Sequence, residues 1–580
     1  MAAEQDVLVG LGERAASVLG PESTLLEDLD AAGLGRAVTD ALRAVLLHPA
    51  VPARAGLRLG IDLLKIPVVA GARFVGAHNE PPVSADPADR RFTDPAWDTN
   101  PAFFSVRQIY LALCGYVRGV VGSTPMAADT RGKATLALDL LLDALAPTNS
   151  PLSNPAVLKR AFDTAGGSLA SGARHFLDDL VHNDGKPRQV DVSGFEVGGN
   201  LAATPGQVVY RNELMELIQY EPQTPQVRAS PLLCSPPWIN KYYVMDLAPG
   251  RSFVEWAVRH GRTVYAISYL NPTREMAGTT MDDYLVDGPK CALDVIQEIS
   301  GSETIDIVGL CLGGALTAIT AAYLTQAGDG RIGALTLLNT MLDYSEPGVL
   351  GAFTDRRTIE RLEKKMRKEG GFEGKAMAGT FDVLRANDLI FNYVVSSWLL
   401  GEDPPRFDIL AWNADSTRMP AAMHGFYLRS FYLENKLATG TLELAGTVLD
   451  LSVIKTPAYV VSAVNDHIVP WESAYKTVGL LSGPTRFVLG NGGHIAGIVS
   501  PPSPKAWHLV RADETAEGAG TGMPPTAQAW REGAERRAGS WWEDWASWSE
   551  GHSGPLVEPP PMGSERHPPL EPAPGRYVFT

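Results

Sequence analysis

Cysteine is scarce in this chain: Cys114, Cys234, Cys291 and Cys311 are the four among 580 residues. So few build no disulfide framework, which fits a reducing cytosol. Basic charge is also short. Fifty Lys and Arg stand against 66 Asp and Glu, a net charge of −16, which argues against nucleic acid or an anionic membrane as a main partner. No long apolar run is present. The best early stretch, 57–77, is interrupted by Arg58, Asp62, Lys65 and Arg73, so no transmembrane segment is expected. The start, Met1-Ala2-Ala3-Glu4-Gln5-Asp6, lacks the basic-then-apolar pattern of a signal peptide. Zinc-type spacings, a P-loop and a Gly-x-Gly-x-x-Gly after a strand are missing too, so neither a metal nor a nucleotide cofactor is implied. A hydrophobic content of 45% with 20% charged residues is that of a soluble globular protein. A length of 580 residues predicts two or three folding units.

What is present is chemistry around one of the cysteines. The apolar run Ile305-Asp306-Ile307-Val308 leads into Gly309-Leu310-Cys311-Leu312-Gly313-Gly314, and a helix-forming stretch follows from Ala315. A buried strand, a glycine-flanked nucleophile and a helix make the nucleophile elbow of an α/β hydrolase, with Cys where Ser is usual. The glycines allow a turn too tight for Cβ atoms. The thiol of Cys311 would stand at the end of the strand, and the backbone N–H of Leu312 would point at a developing oxyanion. A second donor is expected in the loop Ser235-Pro236-Pro237-Trp238-Ile239-Asn240. Proline has no N–H, so Ile239 and Asn240 are the better candidates there, although the loop can also be a simple rigid turn.

An elbow nucleophile needs an acid and then a His, in that chain order. Asp466 follows the apolar run 458–464, and His494 sits in the Gly-rich loop after Arg486-Phe487-Val488-Leu489. Cys311, Asp466 and His494 are therefore the candidate triad. His467 is the rival base, but it neighbours the acid in sequence, and a local packing role suits it better. Cys114, Cys234 and Cys291 lie in apolar or helical contexts and read as core residues. A free thiol, with a pKa near ~8.5, is activated by a His that a carboxylate orients. A thiolate suits transfer between thioesters, because the acyl-enzyme stays as activated as the incoming acyl group.

Along the chain, residues 1–204 read as a helical N-terminal domain, with apolar periodicity in 24–47, 54–77 and 101–122. From 205 to 510, strands expected at 231–234, 263–269, 304–310 and 334–339 alternate with helices at 251–260, 282–299 and 313–326. The alternation lapses at about 345–450, a mostly helical cap rich in aromatics, including Trp412, Tyr427, Phe431 and Tyr432, and resumes at 457. Most of these aromatics read as core, and a few as lining of an acyl pocket. Residues 511–580 form a C-terminal segment: a helix placing Trp541, Trp545 and Trp548 on one face, then a Pro-rich arm. Docking onto the domain explains that Trp face more simply than contact with a polymer.

The chain closely resembles the polyhydroxyalkanoate synthases over most of its length. Besides the Cys311 box, the resemblance rests on Pro237–Tyr243, Asp246–Gly250, Ser268–Pro272, Asp282–Tyr284, Asn387–Ile390, Trp412–Asp415, Asp466–Trp471, Gly493–Gly497 and Glu571–Val578. Tyr269 stands where the family often carries Trp. The resemblance implies an α/β-hydrolase fold with an inserted cap and a helical N-terminal domain. It implies that Cys311 carries a growing polyester, with His494 as base and Asp466 behind it. The substrate would be an (R)-3-hydroxyacyl-coenzyme A, with coenzyme A part of the substrate and a product and no separate cofactor. It further implies a homodimer in the cytoplasm, associated with the surface of polyester granules. Chain length and layout are nearest the short-chain, class I-like synthases. Two other readings stay open on the residues alone: an acyl-CoA thioesterase with the same triad, and a non-catalytic granule-associated protein.

Overall fold

The computed structural model describes residues 31–74, 76–77, 79–86, 89–511 and 523–580. The expectations for Met1–Asp6 and for the first part of the 24–47 stretch lie outside these residues. Contacts divide the chain into two compact units, residues 1–191 with 378–406, and residues 192–377 with 407–580. Part of the segment expected as cap thus belongs to the first unit. The described part of the C-terminal segment belongs to the second.

The first unit is helical: α1 (Ala31–Leu47), α2 (Ala50–Arg73), α3 (Pro101–Ser123), α4 (Ala128–Ala144), α5 (Pro155–Asp163) and α6 (Gly167–His182). Local chemistry sets the start of α3. The Asn100 side chain accepts the N–H of Ala102, and Pro101, with no N–H to leave unpaired, occupies the first turn. Phe92, Trp97 and Tyr110 pack beside it, and Arg91 pairs with Asp89 at 2.8 Å and Asp143 at 3.0 Å. No helix among the described residues is long and apolar enough to cross a membrane.

The second unit is built on one sheet of eleven strands: β1 (Gly206–Arg211), β2 (Met215–Tyr220), β3 (Leu232–Ser235), β4 (Val264–Tyr269), β5 (Ile305–Leu310), β6 (Ile332–Leu338), β7 (Ala458–Ala463), β8 (Thr485–Gly490), β9 (Trp507–Val510), β10 (Glu535–Ala538) and β11 (Glu571–Pro572). Their order across the sheet is β10-β9-β8-β7-β6-β5-β3-β4-β2-β1-β11. The six strands from β8 to β4 are parallel, and the flanking strands are antiparallel. Each of the six residues of β5 is buried, as a strand covered on both faces requires, with Asp306 within it paired to Arg262 at 2.6 Å. The helices α7 (Phe253–Arg259), α8 (Cys291–Ser300) and α9 (Leu312–Gln326) follow β3, β4 and β5. Helix α9 is apolar nearly all round, and a helix of that kind has to be enclosed. This is an α/β-hydrolase architecture. The insertion after β6 is mostly helical and contains α10 (Arg356–Glu369) and α11 (Ala421–Tyr427).

The single helix expected at 282–299 is broken. Gly288, at φ −94° and ψ −115°, and Pro289 interrupt it, because the proline ring denies the backbone one helical hydrogen bond. The Trp-rich helix α12 (Trp541–Glu550) starts with a capping box between Ser540 and Glu543. It buries Trp541, Trp542 and Trp545 on Phe253, with ring centroids 4.8 to 5.7 Å away. That is the docking arrangement, with Trp542 in the buried set and Trp548 only partly buried against Tyr459.

Candidate active site

Cys311 sits between β5 and α9 at φ 54° and ψ −115°. A side chain other than glycine in this region stores roughly 1–3 kcal/mol of backbone strain, so the surroundings must enforce it. They do so through close approach. The N–H of Cys311 donates to Leu338 O at 2.8 Å, tying the turn to β6. A Cβ on Gly313 would collide with Ser235 O and lie 2.5 Å from Pro236 O. The turn therefore closes directly onto the loop after β3. Leu312 opens α9, so its N–H is one of the first four in the helix with no acceptor inside it. Ile239 and Asn240 lie in the loop after β3, and Asn240 pairs with Ser416 in an isolated β-bridge. Leu312 and this loop thus meet at the Gly313 contact, on the end of β5 that carries the thiol.

Asp466 ends the turn after β7. Its Oδ1 accepts the N–H groups of Ile468 and Val469, each at 2.9 Å, and its Oδ2 meets His494 Nδ1 at 2.7 Å. The Asp466 side chain is fully buried and that of His494 is 7% exposed. An acceptor-only carboxylate on Nδ1 requires the proton on that nitrogen, which leaves Nε2 as the basic atom. Burial works against charging the His494 ring. The negative charges of Asp466 and Cys311, and hydrogen bonds to both, outweigh it and hold the imidazole pKa well above that of an ordinary histidine. Its ring thus lies between Asp466 and the Cys311 thiol. His467 lies in the same turn as Asp466 and is partly buried, but it is the His494 ring that takes the free oxygen of the acid.

The His494 loop is held from two sides. Trp541 Nε1 donates to Gly497 O and Trp542 Nε1 to Ile498 O, both at 2.9 Å. Asn339, at the end of β6 with φ 42°, donates its side-chain amide to His494 O. Asparagine tolerates this left-handed backbone better than most residues. Sequence reasoning passes over Asn339, although an Asn-Thr pair closing a buried strand is a visible turn signal.

Aromatic residues surround the thiol. Tyr344 packs on Phe431 at 5.5 Å and Tyr432 at 4.9 Å, and Tyr427 packs on Phe431 at 5.2 Å and on Trp238 at 5.8 Å. Burial pushes the phenols of Tyr344, Tyr427 and Tyr432 up, and the nearby Cys311 charge adds to it. All three stay protonated. Tyr344 lies just before the cap and is not among the aromatics that the sequence pattern singles out. Cys114 and Cys234 are buried and Cys291 partly so. Burial raises the pKa of all three thiols, the reverse of what a nucleophile needs.

Comparison with known proteins shows the family and the fold. Residues 88–257 match the family model of the poly-β-hydroxybutyrate polymerase N-terminus, and residues 245–501 match the α/β-hydrolase fold model. The chain is 41% identical over 553 residues to poly(3-hydroxyalkanoate) polymerase 2 of Ectopseudomonas oleovorans, covering 94% of this chain and 95% of that one. It is 38% identical to the poly(3-hydroxyalkanoate) polymerase of Methylorubrum extorquens, over 94% of this chain and 89% of that one. Against the poly(3-hydroxyalkanoate) polymerase subunit of Cupriavidus necator the identity is 38%, over 84% of this chain and 83% of that one.

Proposed function

The chain belongs to the poly(3-hydroxyalkanoate) polymerase family, and from that premise we propose that it joins (R)-3-hydroxyacyl units from coenzyme A thioesters into a polyester on Cys311. One observation carries the reading of the site: the His494 ring is shared between a buried, doubly anchored Asp466 and the thiol at the elbow.

In this scheme His494 Nε2 takes the proton of the Cys311 thiol. The thiolate adds to the thioester carbonyl, and the Leu312 N–H, with Ile239 or Asn240, holds the oxygen as it becomes negative. The carbon–sulfur bond to coenzyme A then breaks, and the leaving thiolate recovers the proton from the imidazolium. A second substrate next presents its 3-hydroxyl. His494 removes that proton, the alkoxide attacks the acyl thioester on Cys311, and an ester bond forms as the Cys311–acyl bond breaks. The lengthened chain, now a coenzyme A thioester, returns to Cys311 with release of coenzyme A. Asp466 keeps the imidazole oriented and stabilises its charged form throughout. The scheme uses no cofactor beyond the coenzyme A that arrives and leaves with the substrate.

We further propose that it acts as a homodimer in the cytoplasm, at the surface of a polyester granule. Exposed apolar side chains in the first unit, such as Leu46, Leu47, Leu64 and Phe74, suit contact with an apolar surface. The deciding experiment feeds purified protein 3-hydroxybutyryl- and 3-hydroxyoctanoyl-coenzyme A and measures polymer and free thiol together. One ester unit in insoluble polymer per coenzyme A released is the expected result. Free hydroxy acid in place of polymer would make the protein a thioesterase, and no thiol release would make it non-catalytic.

A further inference from the structure

Lys241 lies one residue beyond the second-donor candidates in the loop after β3, and it is 3% exposed. An ammonium at that depth is costly unless something satisfies it. Burial draws its pKa down, against the opposing charge of Asp415. Its Nζ donates to the main-chain oxygen of Thr580 at 2.6 Å. Thr580 is gripped from a second loop as well. Asn271, just past β4, donates its backbone N–H to Thr580 Oγ1 at 3.1 Å and its side-chain amide to the same main-chain oxygen at 3.3 Å. The cap joins the same node: Arg418 N donates to Asn271 Oδ1 and Trp412 Nε1 to Lys241 O, each at 2.8 Å.

A separate anchor brings residues 575–577 to this node. Glu216 on β2 has no exposed side-chain surface, and its Oε2 accepts the N–H groups of Arg576 at 3.1 Å and Tyr577 at 3.0 Å. Tyr577 OH donates to Asn212 O at 2.6 Å. The chain comes in so close that Gly575, at φ +75°, has room for no side chain. A Cβ there would collide with the Glu216 carboxylate. The end of the Pro-rich arm is therefore pinned by a buried carboxylate at one point and a buried ammonium at the other.

We propose that residues 576–580 act as a latch on the loop after β3, with Lys241 as the positioning residue through which Thr580 fixes Ile239 and Asn240 opposite the Leu312 N–H. The proposal rests on the acyl-transfer reading of Cys311. It differs from a plain stabilising role because it acts on the oxyanion side of the site and leaves the nucleophile alone.

The test uses Lys241→Met, which keeps the volume and removes the donor, and Gly575→Ala, which unseats residues 575–577 from Glu216. Coenzyme A release is measured alongside the rate at which iodoacetamide alkylates Cys311. Alkylation needs the thiolate but builds no oxyanion. Both variants should lose about 100-fold in kcat, the scale of a group misplaced by about 1 Å. KM should change less than about threefold and alkylation less than about twofold. The double variant should be no worse than the worse single one, since both act through one path. Release within twofold of wild type in both variants would overturn the latch, and so would alkylation falling in step with kcat or losses that multiply in the double variant. Wild-type protein that releases no coenzyme A would instead overturn the acyl-transfer reading beneath it. If one single variant fails to fold, the kcat, KM and alkylation results of the other decide the matter.

Discussion

Replacing Asp466 by Asn changes one atom of the site, and the structure says which way the amide must face. Oδ1 of Asp466 accepts two backbone N–H groups, from Ile468 and Val469, while Oδ2 takes a single bond from His494. An amide nitrogen turned toward the two N–H groups would set donors against donors. The oxygen of the introduced amide therefore keeps the backbone, and its NH₂ faces His494 Nδ1. That ring nitrogen must then accept, so the ring proton moves to Nε2, the atom that has to receive the Cys311 proton. The base is present but in the wrong tautomer. In serine proteases the same exchange costs ~10⁴ in rate, which corresponds to about 5 kcal/mol of lost transition-state stabilisation. The protein should still fold, because the two backbone hydrogen bonds survive. Release of coenzyme A followed with a thiol reagent, with circular dichroism as the control for folding, should show Asp466→Asn near a ten-thousandth of wild-type kcat. A folded variant within about tenfold of wild type would refute the tautomer argument and put the acid elsewhere.

The two histidines should separate: His494→Ala should lose about 10³-fold or more in kcat, the scale of removing a general base, whereas His467→Ala should stay within about tenfold of wild type in the same assay. Gly313→Ala should lower both melting temperature and turnover, since its methyl would collide with Ser235 O and overpacking of this kind costs about 1–3 kcal/mol. Asp544 anchors α12 to the sheet through Arg486 at 2.7 Å and Tyr459 OH at 2.7 Å. Burial opposes its ionised form, but the Arg486 partner prevails and holds the carboxyl below its usual range. A depressed folded pKa stabilises above the unfolded value and is lost as pH falls through the folded one. Asp544→Asn should therefore cost about 3 kcal/mol at pH 7, and thermal melts should show the gap to wild type narrowing on acidification.

Much of the hydrolase core is readable in the sequence because its parallel strands are apolar runs closed by turn residues. The strand expected at 304–310 is Ile305–Leu310, and the helix expected at 313–326 is Leu312–Gln326. The order Cys311, Asp466, His494 is visible for the same reason, each residue lying just past such a strand. What escapes notice has no periodic signature. β2 carries Glu216 at a fully buried position, and a carboxylate in a strand ordinarily signals an exposed face. Arg211 on the neighbouring strand and the backbone amides of Arg576 and Tyr577 make its burial tolerable, and the last two are some 360 residues away in sequence. β11 is two residues long, too short for any alternation to show. Trp542 breaks the expected helical face because α12 is enclosed on more than one side, its indole reaching Ile498 O. Tyr344 and Lys241 owe their places to contacts between segments far apart in sequence.

Everything in the proposed chemistry turns on one covalent bond, and it can be seen directly. Protein quenched during turnover of a 3-hydroxyacyl-coenzyme A, digested and analysed by mass spectrometry, should carry the acyl mass on the peptide containing Cys311 and on no peptide containing Cys114, Cys234 or Cys291. Cys311→Ala should lose the adduct, coenzyme A release and polymer together. An adduct confined to another cysteine, or polymer formation persisting in Cys311→Ala, would contradict it.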